Sequence, residues 1–171
     1  DGFDDVLIGA RSSGASGEYS GAAYVVFGKD TGFDATVNLT DLDGTNGFRL
    51  ERGIAGELFG RAVSAAGDFN GDGNDDLIIG AYAADPNGQD SGAGYVVFGK
   101  SSGFSASINI EELSNDEGFA LNGIAVGDSL GKSVGSVGDI NDDGFADVII
   151  GAPFGDGAIP NTGVGYVIFG G

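Results

Sequence analysis

The sequence predicts an all-β chain built from β-propeller blades of four antiparallel strands, and three observations carry that prediction. Short β-branched and aromatic runs alternate with turns rich in glycine and small polar residues. Whole stretches recur at a fixed spacing of 71 residues along the 171-residue chain. Each recurring unit holds four such runs, and units of that length repeated radially are the makings of propeller blades.

Taken in order, Asp5 to Ala10 reads as a short strand buried on both faces. Arg11 to Ser20 is a loop by composition. Ala22 to Lys29 is a second strand, copied at Ala93 to Lys100 and Val164 to Gly171, so that Tyr24, Tyr95 and Tyr166 each stand 71 residues apart. In repeated strands such tyrosines are better read as core or inter-blade packing than as a carbohydrate-stacking set.

Asp30 to Asn46 is expected to be a long outer connection with a short helical turn near Asp41 and Leu42. Its copy holds Gly103, Phe104 and Ser107 to Ile110, with a turn near Glu111 and Glu112. Gly47 to Leu50 and Gly118 to Leu121 follow as outer strands, and Leu58 to Gly67 and Leu130 to Gly138 as small-residue strands suited to close backbone approach. The count gives a partial blade at 1–57, a complete blade at 58–128 and a partial blade at 129–171, about 2.5 blades in all.

Between the small-residue strand and the next strand lies the stretch around which each unit is organised. Asp68, Asn70, Asp72 and Asp76 stand at positions 1, 3, 5 and 9 of a nine-residue loop, with Gly73 at position 6. Hard cations such as Ca²⁺ take about six to eight oxygen ligands and need a sharp turn to gather them. The four side chains and the position-7 carbonyl of Asn74 are the expected ligands, and Gly73 is expected at positive φ. The loop recurs with Asp139, Asn141, Asp143, Phe145 (through its carbonyl) and Asp147. Asp1 to Asp5 reads as positions 5 to 9 of a third loop, a half-site for the same ion.

An EF-hand would place a bidentate glutamate at position 12 and then a helix, whereas position 12 here is Ile79 or Ile150 inside an apolar strand. Asp, Asn and Gly also favour turns without any metal. Against that reading, four carboxylates crowd each loop region and repel one another unless compensated.

Composition narrows the function. The net charge is −19, with 26 acidic and only seven basic side chains, which disfavours nucleic acid and anionic membrane surfaces as partners. Without His or Cys, the commonest general base and all thiol chemistry are missing. No apolar run approaches the length of a membrane span. The chain opens inside a loop, as expected of a piece of something longer.

Phe59-Gly60, a calcium-type loop, and then Gly80-Ala81-Tyr82 resemble the FG-GAP repeat of integrin α chains. The third unit keeps Gly151-Ala152-Pro153 but has Leu130-Gly131, and the first keeps Gly9-Ala10 followed by Arg11. The resemblance implies a Ca²⁺-binding propeller, with ligands at the ten loop positions named above. It also implies a ligand-binding face made by the opposite loops, here Arg11–Ser20, Ala83–Gly92, Phe154–Thr162, Arg52–Glu57 and Gly123–Ser129. The leading expectation is a non-enzymatic, extracellular or cell-surface adhesion segment that contacts protein or glycan, with Ca²⁺ structural. The alternatives are a self-assembling surface fibre or sheath built from further copies of the chain and, more weakly, a metal-dependent hydrolase.

Overall fold

The computed structural model describes residues 2–14, 17–157 and 159–171. Among these described residues, eleven strands form three sheets set side by side. The first holds β1 (Val6–Ala10), β2 (Ala22–Val26) and β3 (Gly47–Glu51). The second orders β4 (Ala62–Gly67), β5 (Asp76–Ala81), β6 (Ala93–Val97) and β8 (Gly118–Asn122). The third holds β9 (Ser133–Gly138), β10 (Asp147–Ala152) and β11 (Val164–Ile168). Neighbouring strands of each blade are antiparallel, so the protein is all-β with partial and complete propeller blades. Among the described residues no helix is long and apolar enough to cross a membrane.

Burial explains why near-identical strands differ. All five residues of β6 are buried, because sheets cover the central blade on both sides, whereas β11 alternates exposed and half-buried residues. One core joins the first and second sheets through Val25, Phe48 and Leu50 against Phe59, Ile79 and Tyr95. A second joins the second and third through Ile78 and Val96 against Leu130, Val148 and Ile150. Tyr95 is 5% exposed and lies 5.6 Å from Phe59, a packing role.

The small residues mark where blades touch. A Cβ on Gly80 would lie 1.9 Å from the Gly131 carbonyl oxygen, and one on Gly9 would lie 2.3 Å from that of Gly60. Backbone bonds cross the same seams: Leu58 N and Phe59 N donate to Tyr19 O and Ser20 O, each at 3.1 Å. One repeat on, Ser129 N and Leu130 N donate to Asp90 O and Ser91 O at 3.0 and 3.1 Å.

Two elements depart from expectation. β1, expected to be buried on both faces, is exposed or half-buried at every residue, because only its side toward the second sheet is covered. The stretch read as an outer connection contains β7 (Ser107–Asn109), which pairs in parallel with β3 of the preceding blade. The first sheet therefore has four strands, where the sequence count gave three. Ala106 O accepts from Arg49 N at 3.0 Å, Phe104 stacks on Phe48 at 4.5 Å, and Ile110 enters the first core. The segment is a strap across the blade seam. The expected helical turns are single 3-10 turns, Leu39–Asp41 and Ile110–Glu112, each capped by the preceding asparagine.

Candidate metal centres

The loops between β4 and β5 and between β9 and β10 carry the predicted ligand positions. Each is flanked by a shift in strand register, near Ala65–Gly67 before the first loop and at Asp147–Val148 at the end of the second. Gly73 and Gly144 turn the chain at φ +87° and +96°, the conformation expected of position 6.

Asp76 anchors the first loop from the start of β5 and is fully buried. Its Oδ2 accepts from Phe69 N at 2.9 Å and Asn70 N at 3.3 Å, and its Oδ1 from Gly99 N at 2.8 Å. Burial pushes its carboxyl above the usual range, while the backbone donors pull the other way. Asp147 repeats the arrangement, accepting from Ile140 N at 2.9 Å and Gly170 N at 3.0 Å. The last carboxylate of each loop thus ties the loop's entry to the end of a neighbouring strand.

The other side chains cap the turn from inside. Asp68 Oδ2 accepts from Gly73 N at 3.0 Å, and Asn70 Oδ1 from Asp72 N at 3.0 Å. Asp72 Oδ1 accepts from both Asn74 N and Asn74 Nδ2 at 2.8 Å, and these bonds hold its carboxyl below the usual range. In the second loop Asp139 Oδ2 accepts from Gly144 N at 2.8 Å, Asn141 Oδ1 from Asp143 N at 3.2 Å, and Asp143 Oδ1 from Phe145 N at 3.0 Å.

Each loop therefore brings its five predicted ligand residues into one turn. Among the described residues, no three acidic side chains converge as a ready-made metal group. Their oxygens are engaged by N–H donors instead, with Asn70 Nδ2 on Asp72 Oδ2 at 3.2 Å and Asn141 Nδ2 on Asp143 Oδ2 at 2.6 Å. One acceptor is left over: Asp68 Oδ1 is buried and without a hydrogen-bond partner. A buried, unsatisfied carboxylate oxygen in an all-oxygen, acidic donor set fits a hard cation. In the half-loop, Asp1 lies outside the described residues. Asp5 keeps the position-9 role, its Oδ1 accepting from Gly28 N at 2.8 Å, but it is exposed.

Contacts between the two complete loops were not legible in the sequence. Ala146 N donates to Asp68 O at 3.0 Å, and Gly171 N to Phe69 O at 2.9 Å. The Phe145 ring lies over Gly71, where a Cβ would come within 2.3 Å of it. No spacing rule reports a contact made across a blade seam.

On the opposite face, Arg52 spans the first seam. It pairs with Glu57 and, at 2.7 Å, with Glu111 of the strap, and it sits 5.7 Å from the Tyr95 ring centroid. Burial pushes the Glu57 carboxyl upward despite this partner, and Glu57 Oε2 is buried without a hydrogen bond. Burial likewise pushes the Tyr95 hydroxyl to about 12. The next repeat has Gly123 and Asp128 at these positions.

Blades of this kind, with an acidic loop between their first two strands, define a β-propeller repeat protein. Residues 59–97 and 133–168 match the FG-GAP repeat, and the chain belongs to that integrin-like family. It is 34% identical over 129 residues to integrin alpha-5 of Xenopus laevis, covering 72% of this chain and 11% of the relative. Over 167 residues it is 33% identical to the human phosphatidylinositol-glycan-specific phospholipase D, covering 96% of this chain and 18% of the relative. Integrin alpha-PS5 of Drosophila melanogaster is 39% identical over 106 residues, or 61% of this chain and 10% of the relative. The chain spans less than a fifth of the length of these relatives.

Proposed function

We propose that the chain is a calcium-stabilised propeller segment of an extracellular or cell-surface adhesion protein. The observation that carries the metal reading is the buried, partnerless Asp68 Oδ1 in a turn whose other side chains also carry oxygens. Asp68, Asn70, Asp72 and Asp76, with the Asn74 carbonyl, would hold one ion. Asp139, Asn141, Asp143 and Asp147, with the Phe145 carbonyl, would hold the other. Bound metal would supply positive charge that relieves the clustered carboxylates. Because only the folded loop gathers these ligands, binding stabilises the fold by mass action.

The role is structural, and the chain itself is not an enzyme. In each loop three carboxylates accept backbone N–H groups, and the sequence offers no His or Cys as general base or nucleophile. One relative is named a phospholipase, but the chain corresponds to 18% of it. The partner is a protein or glycan met by the loops opposite the metal, such as Arg52–Glu57 and Gly123–Ser129. Kinship with integrin α chains favours a protein.

Calorimetric titration with Ca²⁺ tests the metal reading. Two sites of micromolar to submillimolar affinity are expected, a range typical of sensor and extracellular modules. Asp72→Ala and Asp143→Ala should each remove one site while circular dichroism stays unchanged. Absence of heat or uptake at millimolar Ca²⁺ would sink it. Phosphodiesterase turnover lost in Asp72→Ala would instead favour a catalytic metal.

A further inference from the structure

We infer that the two loops bind their metal ions cooperatively, linked through Phe145, Ala146 and the Gly170–Gly171 backbone. The inference rests on the calcium reading and concerns how the two sites regulate each other.

Two tethers join the loops, and both run through expected ligand residues. In the first, Ala146 sits between Phe145 and Asp147 of one loop and donates its N–H to the Asp68 carbonyl of the other at 3.0 Å. The Phe145 ring reinforces this tether by seating on Gly71, which leaves no room for a side chain. The second tether connects the two position-9 carboxylates. Asp147 Oδ1 accepts from Gly170 N at 3.0 Å, Gly171 N donates to Phe69 O at 2.9 Å, and Phe69 N donates to Asp76 Oδ2 at 2.9 Å.

A metal in either loop fixes Asp68 and Asp76 or Phe145 and Asp147, and each pair holds one end of both tethers. Ordering one loop therefore removes freedom that the other would otherwise lose on binding, which raises its affinity. Repulsion between the two cations works against this, and about 0.15 M salt screens it to a Debye length near 8 Å. Coupling free energies of this kind change affinity about 5- to 150-fold, and the lower end is expected here.

The test is calcium titration calorimetry of the whole chain in about 0.15 M salt, with three variants. The wild type should bind two ions with positive cooperativity. Asp143→Ala should weaken the 68–76 loop about fivefold or more, and Asp72→Ala should weaken the 139–147 loop by the same factor, since coupling is reciprocal. Phe145→Ala, which removes the ring but keeps the backbone bonds, should reduce the coupling between the two sites without abolishing it, with an unchanged circular dichroism spectrum showing that the fold persists. Single-loop variants that keep wild-type affinity at the surviving loop would overturn the coupling alone. A wild type that takes up no calcium would overturn the reading beneath it. If Phe145→Ala unfolds, reciprocity between the two aspartate variants still decides the matter.

Discussion

At the scale of single residues, the position-9 aspartates should matter even without metal. Asp76 is fully buried and accepts three backbone N–H groups, so Asp76→Ala strands those donors and should cost about 1–3 kcal/mol in chelator. Asp5 makes the corresponding bond to Gly28 N from an exposed site, and Asp5→Ala should cost less than about 1 kcal/mol. Urea denaturation of the two variants would show that order, and equal losses would contradict it. Tyr95 gives a second check. Burial raises its hydroxyl from 10.0 to about 12, the nearby Glu57 and Glu111 add to the rise, and Arg52 opposes it. The folded state therefore keeps a proton that the unfolded chain loses. Stability tied to this group is fully present below pH 10 and falls as pH climbs toward 12. Absorbance titration should show one late tyrosine that Tyr95→Phe removes. Loop ligand types and spacing were legible in the sequence because loop chemistry is local. The Glu57–Arg52–Glu111 group was not, because its members meet only once a strap crosses from the next blade.

At the scale of elements, the Phe-Gly and Gly-Ala signatures acquire a mechanical meaning. Gly60 N donates to Gly80 O at 3.1 Å within the central blade, and the Gly80 Cα faces the Gly131 carbonyl across the seam. Gly80→Ala would force a methyl to 1.9 Å from a backbone oxygen, so a loss at the top of the about 1–3 kcal/mol overpacking range is expected. Gly73→Ala meets nothing within 4 Å and pays only for its φ of +87°, so a smaller loss is expected. Thermal melts of the two variants in the same buffer would test the contrast. The β-branched strands and their register were legible because period and composition agreed in every repeat. The strand β7 was not: three residues give too short a run for periodicity, and the pairing is decided by β3, 58 residues earlier at every pair.

For the whole molecule, calcium should appear as stability. Melts in millimolar Ca²⁺ should exceed those in chelator by several degrees, since binding at a hundred times Kd contributes about 2.7 kcal/mol. The combined Asp72→Ala, Asp143→Ala chain should melt alike in both buffers. The architecture was legible as far as repetition reached, because an uninterrupted 71-residue step leaves little choice of topology. The order in which blades clasp one another was hidden, and it bears on how the chain matures. The outer edge of β3, complete by Glu51, is paired only when Ser107–Asn109 arrives. During synthesis the first blade must therefore wait, edge open, until most of the next repeat has left the ribosome. Folding should run about one repeat behind translation, and a nascent chain stalled before Ser107 should be far more open to protease than one stalled after Glu112.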